Sequence, residues 1–365
     1  MKWNYKIFIF AAVLLMPSLV NAQTYERSRE VKKSFAIHAS TEIQVINKYG
    51  NVHVVNWEKD SVKFEISLVV KGNKQSKIQK NFDLIDFSFT KTAYYVVAET
   101  KFGTDKGLFW DEVSDLANTI FSGSNRTQID YKVYIPRACP LKIDNKFGNI
   151  YIGDQHGRCE INLSNGDMKA NEFSGKLLLE IDFGSVNIRT AADARIIASY
   201  AELDIRRSDN LDLDSKSSRY ELGKVSEVKL ISRRDDLRID EVGSLMGELS
   251  FSDLQIDNFT ASSLLTSSYG SMNFRTVNQG FRSIVIKAEY TDIDLNFERD
   301  AAWQLMLEHA DKSEISLPAG FDLIEEKPVD EDGTVQKIKG KMGYGTDLPP
   351  VDIKITSGHV YITNY

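Results

Sequence analysis

Apolar and polar residues alternate along most of the chain, in short runs that are separated by Gly, Asn, Asp and Ser. Alternation with a period of two predicts strands that bury one face. One phrase recurs many times: an aromatic or polar residue, a small residue, and then apolar residues at alternate positions, as in Phe147-Gly148-Asn149-Ile150-Tyr151-Ile152. The pattern therefore indicates a β-structure that is assembled from copies of one short unit.

The small residue of each phrase is an anchor from which the repeat length can be measured. In the main array the anchors lie at positions 148, 166, 184, 201, 218, 235, 252, 270 and 291, which differ successively by 18, 18, 17, 17, 17, 17, 18 and 21. Gly50 anchors an earlier copy. A unit of this size cannot bury its apolar face alone, so copies must stack on one another at about 4.8 Å. We call the stretch from one anchor to the next a repeat.

These observations predict an all-β fold, namely a single-stranded β-solenoid (parallel β-helix-like) of short 17–18-residue coils. A β-sandwich or a propeller needs longer strands and hairpin turns at wider spacing. Glycine at five anchors is expected to permit tight turns with φ > 0: these are Gly50, Gly148, Gly166, Gly184 and Gly270. The aromatic residues before the anchors are expected to stack from coil to coil as part of the core: Tyr49, Phe147, Phe183, Tyr200, Phe251, Tyr269 and Tyr290.

The repeat divides the rest of the chain into segments. Residues 23–135 form an N-terminal β-rich segment that includes the first coil, with strands predicted at 62–70, 82–89, 94–98 and 129–135. One short amphipathic helix is predicted there from the helical spacing of Phe109, Trp110, Val113, Leu116, Ile120 and Phe121. Such a helix would cover the open end of the solenoid or dock a partner. Residues 136–317 carry the solenoid repeats, and 318–365 form a long, partly mobile excursion followed by a final coil.

The first 22 residues have the pattern of a secretory signal peptide. Lys2 and Lys6 precede an apolar run at 7–16, and Val20-Asn21-Ala22 provides small residues at a cleavage site. Cleavage would leave Gln23 first and would place the protein in the periplasm or at the cell surface. An uncleaved membrane anchor is the alternative, and no later apolar run reaches the length of a membrane span.

The charge balance narrows the range of partners. The sequence has 45 Lys and Arg against 52 Asp and Glu, a net charge of −7. Loss of Lys2 and Lys6 with the signal peptide leaves 43 basic against 52 acidic residues, a net charge of −9. An acidic chain without a stripe of Lys and Arg disfavours nucleic acid and anionic lipid as partners.

Residues that could carry chemistry are sparse. The five histidines are scattered, and neither a zinc-type Cys or His pair nor a nucleophile motif occurs, so no catalytic residue, metal or cofactor is predicted. Cys139 and Cys159 fall on adjacent coils, where either a disulfide or two buried thiols is compatible with the spacing. Arg189 and Arg206 fall on successive coils and suit either an anionic glycan or a solvated edge ladder.

Three stretches carry a resemblance to a known family. They are Lys48-Tyr49-Gly50-Asn51-Val52, Val133-Tyr134-Ile135-Pro136 and the segment 141–150 that leads into the repeats. With the signal peptide, they resemble a family of bacterial secreted domains of unknown function that is catalogued as "putative adhesins", and the resemblance covers most of residues 40–317. It implies a β-solenoid in the periplasm or at the cell surface and an adhesive role, without established binding residues.

The resulting expectation is a non-enzymatic exported protein, adhesin-like or a scaffold, whose surface binds an envelope protein or a glycan. Two alternatives belong to other classes. A polysaccharide-active β-helix enzyme would need two converging carboxyl groups in a cleft, whereas the outward acids alternate with bases and amides along the repeats. A periplasmic partner of a membrane signalling or transport protein would act through the helix at 109–121.

Overall fold

A computed structural model of the protein describes residues 24–103, 126–330 and 332–365. The predicted signal peptide (1–22) and the predicted helix (109–121) lie outside these residues. The described chain is all-β, with a large and mostly parallel sheet and a single helix.

The described strands, numbered in chain order, fall into an N-terminal and a C-terminal group. The first group is β1 (Tyr25–Ala36), β2 (Glu42–Lys48), β3 (Val52–Asn56), β4 (Ser61–Gly72), β5 (Ile85–Lys91), β6 (Tyr95–Phe102), β7 (Arg126–Ile135), β8 (Leu141–Lys146), β9 (Ile150–Gln155) and β10 (Cys159–Ser164). The second group is β11 (Met168–Lys216), β12 (Arg219–Arg233), β13 (Asp236–Ser250), β14 (Asp253–Val277), β15 (Ser283–Phe297), β16 (Trp303–Ala310), β17 (Ser313–Ser316), β18 (Asp322–Pro328), β19 (Val335–Met342), β20 (Pro350–Ile355) and β21 (Gly358–Asn364).

The helix α1 (Gln75–Asp83) lies in the N-terminal segment, at residues for which the sequence predicted no helix. Its N-cap residue, Lys74, makes no side-chain capping hydrogen bond, and only Ile78, Asn81 and Phe82 are buried. A short helix with two apolar positions gives a weak periodic signal. The strands predicted at 62–70 and 129–135 fall within β4 and β7, whereas the strand predicted at 82–89 is wrong at its start, because Phe82 and Asp83 belong to α1 and β5 begins at Ile85.

Parallel pairing follows the repeat of the sequence. Cys159 pairs with Leu141 on one side and with Leu177 on the other, 18 positions away in each direction. Further along, Tyr220 pairs with Leu203 and Leu237, 17 positions away in each direction. Residues at equivalent places in successive repeats are therefore neighbours in the sheet.

The core consists of the apolar columns that this register produces. Ile143, Ile161 and Leu179 succeed one another in the sheet and are at most 1% exposed. Residues between them along each strand point the other way and are partly or fully exposed, as the alternating burial of β8 and β10 shows. Period-two patterning thus fixes the register, because a slip of one residue would expose the whole apolar set.

At the N-terminal side, the order of strands in the sheet differs from their order in the chain. Val45 of β2 pairs in parallel with Ala98 of β6 and with Ile143 of β8. Val52 of β3 likewise pairs with Tyr131 of β7 and with Ile150 of β9. The repeat anchored at Gly50 therefore lies between strands that follow it in sequence.

The C-terminal side has a corresponding exchange of order. Ile353 of β20 pairs in parallel with Ile286 of β15 and with Leu307 of β16, so the strands predicted to restore a final coil lie inside the sheet. The predicted excursion contains a hairpin, in which β18 and β19 are antiparallel and β19 pairs with β16. Covering β16 in this way leaves less of the sheet edge open to other chains.

The expectation that the anchor glycines adopt φ > 0 is wrong. Positive φ belongs instead to the residue before each anchor, among them Phe147 (57°), Tyr200 (53°) and Tyr269 (58°). A bulky residue with φ > 0 is an outlier, and its regular recurrence here means that each turn is built on it.

The glycines are needed for a different reason, which is the close approach of successive repeats. A β-carbon on Gly50 would lie 2.0 Å from the carbonyl oxygen of Ile129, and one on Gly184 would lie 1.9 Å from that of Gly166. Since no side chain fits at such distances, these positions require glycine for space rather than for backbone freedom.

The chain divides into two compact units. The first comprises Met1–Arg29, Leu68–Asp86 and Phe102–Gln128, of which the structure describes 24–29, 68–86, 102–103 and 126–128. Within it, the guanidinium of Arg27 lies 4.8 Å from the ring centre of Phe82. The second unit comprises Glu30–Ser67, Phe87–Lys101 and Ile129–Tyr365 and holds the repeats.

Candidate functional site

The aromatic residues before the anchors form an outer column rather than a part of the core. Where aromatic residues occupy adjacent repeats their rings stack, with centroids 5.0 Å apart for Phe183 and Tyr200 and 4.8 Å apart for Phe251 and Tyr269. Stacking was predicted, but the expected burial is wrong: Phe251 is 59% exposed and Tyr290 is 56% exposed. The left-handed conformation turns these side chains outward, which an alternation count along an extended strand does not foresee.

This aromatic column offers little to a ligand. Each pair is nearly parallel, with interplanar angles of 2° for Phe183–Tyr200 and 6° for Tyr269–Tyr290, so stacked partners cover each other's ring faces. Stacking of this kind stabilises by about 0.5–1.5 kcal/mol per pair beyond burial. The column is therefore explained as a device that holds the turns of neighbouring repeats together.

A second outward column lies three residues after the anchors and contains the candidate site. Parallel pairing places His53 beside Tyr151 and Tyr151 beside Lys169. One repeat further along are Asn187 and then Asp204, whose carboxylate accepts a 2.8 Å hydrogen bond from the Asn187 amide. The column therefore changes from aromatic to basic to polar within a few strands.

The rings of His53 and Tyr151 stack at 4.5 Å with an interplanar angle of 24°. This pair joins residues that are 98 positions apart, and it was not predicted from the sequence. The signal was present, because Tyr49-Gly50-Asn51-Val52-His53 matches Phe147-Gly148-Asn149-Ile150-Tyr151 residue for residue. The strands that separate the two copies in the sequence concealed it, since nothing in the sequence shows that the two copies pair directly.

The residues five places after the anchors complete an open groove of about 560 Å³. Its basic and amide side chains are those of Lys169, Arg189, Arg206, Asn171 and Asn187, with His53 and Tyr151 at one end. The floor is made of the inward-pointing apolar residues Val54, Ile152 and Ala170, which are at most 9% exposed. Gly153, which lies five residues after its anchor, also lines the groove and contributes no side chain to it.

None of the described residues that line the groove carries a carboxylate. Lys169, Arg189 and Arg206 make no ion pair with any residue that the structure describes, and Arg189 donates one hydrogen bond of 3.3 Å to the Asn171 amide oxygen. Two acids close to the lining residues have other partners: Asp154 lies 3.6 Å from Arg137, and Asp204 accepts a hydrogen bond from Asn187. Arg189 and Arg206, which the sequence singled out, are thus brought together with Lys169.

Cys139 and Cys159 are both buried and free in the structure. Burial raises the pKa of both thiols, that of Cys159 to about 12, and the negative charge of Asp60 adds to the effect at Cys139. Thiols that stay protonated are poor nucleophiles and poor metal ligands. They contribute to packing in the core and not to the groove.

A smaller cluster of ionisable groups lies near the C-terminal strands. The His359 ring lies 2.8 Å from an oxygen of Asp292 through Nδ1 and 3.3 Å from one of Glu314 through Nε2. The hydrogen bond with Asp292 raises the pKa of His359. Across the described residues no group of three His, Cys, Asp or Glu side chains is arranged to hold a metal ion.

The described parts of the chain also contain no helix with the length and hydrophobicity of a membrane span. The alternative site predicted from sequence, the helix at 109–121, lies outside the described residues. The groove beside His53 and Tyr151 is therefore the candidate that the structure supports with the most observations.

No family model and no curated protein matches the chain. Among solved structures, a "putative cell adhesion protein" from Clostridium sporogenes is 9% identical, with a TM-score of 0.21, over 93% of this chain and 100% of the other. A "putative adhesin" from Parabacteroides distasonis is 12% identical, with a TM-score of 0.29, over 74% and 93% of the two chains.

A third solved structure, a "putative adhesin" from Bacteroides fragilis, is 9% identical, with a TM-score of 0.26, over 92% of this chain and 97% of the other. Two of the three are described as "putative adhesin" and one as "putative cell adhesion protein", which agrees with the family that the sequence resembles. At such TM-scores and identities the likenesses support no argument about the ligand or the mechanism of this chain.

Proposed function

We propose that this protein is a non-enzymatic, exported β-solenoid of 17–18-residue coils that presents a binding surface at the cell envelope, as an adhesin-like or scaffold protein. The parallel pairing of residues 17 or 18 positions apart supports the solenoid. The segments are a signal peptide (1–22), an N-terminal β-rich segment (23–135), the solenoid (136–317) and a C-terminal part (318–365). Export is inferred from the signal-peptide pattern and places the protein in the periplasm or at the cell surface.

The observation that carries the proposed function is the groove itself. It is open, its side chains project from paired strands, and it leaves three cations without an acidic partner among the described residues. Unpaired charges in a concave surface are suited to recognition of a charged partner. A glycan of the envelope is a partner that an exported protein of this kind would meet.

Co-sedimentation with insoluble envelope polysaccharide tests this proposal. Mature protein, residues 23–365, is incubated with the material, and both the retained protein and new reducing ends are measured. We expect retention without new ends. Retention should fall for the triple variant Lys169→Gln, Arg189→Gln, Arg206→Gln and should persist for Arg238→Gln, which changes a charge in the same column outside the groove.

Two outcomes contradict the proposal. New reducing ends above those of a heat-unfolded sample would mean that the protein cleaves glycans. Absence of retention, or retention that the triple variant does not reduce, would mean that the groove is not the binding surface.

A further inference from the structure

We infer that the groove lined by His53, Tyr151, Lys169, Arg189 and Arg206 binds a carboxylated polysaccharide, a polymer of uronic-acid type. The inference rests on the proposed function and narrows it to one chemical class of ligand. The carboxylates would lie at the three cations, and the sugar rings would lie along the side of the His53–Tyr151 pair.

Several cations elsewhere in the sheet lie beside an acid one repeat away, as in Arg195–Asp212 at 3.1 Å and Arg219–Asp236 at 3.4 Å. The groove differs because three cations on successive repeats, Lys169, Arg189 and Arg206, line one concave surface that has no carboxylate among its lining residues. In a chain whose net charge is −7, an anionic ligand would supply the missing charge.

The chemistry of the cations suits carboxylates. An arginine side chain has five N–H donors in a planar fork, which pairs with a carboxylate through two parallel hydrogen bonds. Arg189 uses one nitrogen for the Asn171 amide and keeps the others available. Both Arg189 and Arg206 are exposed, so they can reach a ligand without prior loss of another partner.

The arrangement of the cations suits a polymer better than a small acid. Lys169, Arg189 and Arg206 belong to successive repeats, which lie about 4.8 Å apart in a sheet. A linear chain with a carboxylate on each sugar can contact several of them at once. Such contacts act together, because binding at one site raises the effective concentration at the next.

The His53–Tyr151 pair gives the groove an apolar flank with a polar tip. The two stacked rings are held in place by strand pairing, and the Tyr151 hydroxyl accepts a 3.2 Å hydrogen bond from the Asn149 amide. A tyrosine provides contact area at a low cost in conformational entropy. A sugar, which has both apolar C–H faces and hydroxyl groups, matches such a surface.

An anionic membrane would meet the same cations but fits the surface less well. Peripheral membrane proteins insert apolar side chains beside their basic residues. The apolar floor of the groove, Val54, Ile152 and Ala170, is at most 9% exposed, and the rings of its flank are stacked on each other, so little apolar side chain is available for insertion. Vesicles are therefore included in the test as the competing ligand.

Polygalacturonate is the probe that isolates the carboxylate, because its fully methyl-esterified form has the same backbone without charge. Binding of mature protein to each polymer is measured by calorimetry at low and physiological salt. We expect the free acid to bind and the ester to bind at least about tenfold more weakly, since hydrogen bonds to charged groups are the stronger ones. Lys169→Gln with Arg206→Gln should weaken binding of the free acid by about tenfold or more, and Arg238→Gln should leave it unchanged.

The outcomes distinguish this inference from the function on which it rests. Equal binding of acid and ester, insensitive to Lys169→Gln with Arg206→Gln, overturns the carboxylate requirement and leaves glycan binding standing. Binding to phosphatidylglycerol vesicles in place of the polymer overturns the inference in favour of a membrane surface. If neither polymer binds while envelope polysaccharide still retains the protein, the uronic-acid class is wrong. All variants change exposed side chains, and unchanged thermal unfolding confirms that they remain folded.

Discussion

A β-carbon on Gly148 would lie 2.0 Å from the carbonyl oxygen of Gly50, although the two glycines are 98 positions apart in sequence. Both follow a residue with positive φ, Phe147 and Tyr49, whose rings stack at 5.2 Å with an interplanar angle of 6°. The same pair of repeats thus has its rings in contact on the outside and its glycine backbones in contact at the turn. Stacked rings and missing side chains together set the spacing between neighbouring repeats.

The first prediction follows from that contact. Gly148→Ala should lower the free energy of unfolding by about 3 kcal/mol or more, because the new methyl group can be accommodated only by moving backbone that is fixed by parallel pairing on both sides. Urea denaturation measures the loss. Gly280→Ala is the matched control, since a β-carbon there would meet nothing within 4 Å. Equal stability of both variants would show that the repeats are not in contact at this turn.

A second prediction concerns the outer aromatic column. Tyr269 stacks on Phe251 at 4.8 Å and on Tyr290 at 4.9 Å while its φ is 58°. Tyr269→Ala removes both contacts and keeps the unfavourable conformation, so a loss of about 1–3 kcal/mol is expected. Tyr269→Asn should be less destabilised, because Asn tolerates left-handed φ better than Ala does.

Thermal unfolding compares these variants with Tyr344→Ala, which removes a fully exposed ring. We expect the order of stability to be Tyr344→Ala, then Tyr269→Asn, then Tyr269→Ala. If Tyr269→Ala equals or exceeds the wild type, stacking contributes nothing and the column needs another explanation.

The period of the sequence predicted the main array because every constraint there is local. Each repeat from Gly148 to the repeat of Tyr290 follows the last one in sequence and pairs with it, so the anchors and the alternating apolar residues define the register. The column that holds Tyr151, Lys169 and Asn187 could be written down on the same basis. The basic part of the candidate site was thus accessible from sequence.

The order of the N-terminal strands and the aromatic end of the candidate site could not be predicted, because they depend on contacts between distant segments. The period cannot show that β2 lies between β6 and β8, since that order is decided by how the intervening strands pack. His53 was missed for this reason. The outward direction of Phe251 and Tyr269 was missed for another, because alternation assumes extended backbone and a residue with φ > 0 breaks it.

A third prediction concerns Asp235, a carboxylate that is only 4% exposed. Its Oδ2 accepts hydrogen bonds from the hydroxyls of Ser215 (2.6 Å) and Ser232 (2.7 Å) and from the Arg233 amide (2.9 Å). Its Oδ1 accepts one from the Ser218 amide at 2.7 Å. Asp235→Asn places an NH₂ group opposite a backbone N–H and should cost about 1–3 kcal/mol of stability.

Chemical denaturation checks this loss. Asp236→Asn changes the neighbouring carboxylate, whose side chain is 65% exposed and lies 3.4 Å from Arg219, and should cost less than about 1 kcal/mol. Comparable losses in the two variants would show that the hydrogen-bond network around Asp235 has no special role.

A fourth prediction is a pH dependence that originates at His359. Its pKa is raised above the ordinary 6.5 by the hydrogen bond with Asp292, and the charges of Asp292, Glu314 and Asp294 act in the same direction. A raised pKa in the folded state means that protonation stabilises the fold. The contribution is complete below pH 6.5 and is lost as the pH rises through the folded-state pKa.

Unfolding of the wild type and of His359→Gln should therefore differ at pH 5.5 and converge by pH 9. The imidazole resonance of His359 in an NMR titration should report a pKa above 6.5. A constant difference between the two proteins across this range would assign the effect of the substitution to packing rather than to charge.

The last prediction concerns the C-terminal strands. Ile353 of β20 pairs with both Ile286 and Leu307, and Val360 of β21 pairs with both Ile293 and Ile315. Removal of residues 350–365 would leave β15, β16 and β17 without the strands with which they pair and would expose their buried apolar residues. Backbone amides should lose protection from hydrogen exchange throughout β15 and β16 while those of β13 stay protected, because opening is local to the affected strands.

Deletion of 322–342 is the comparison. Asp322 pairs with Lys341, so the cut ends are close, and only the outer side of β16 becomes open. That deletion should reduce protection in β16 and leave β15 as in the full chain. Equal effects of the two deletions would contradict the position of β20 between β15 and β16.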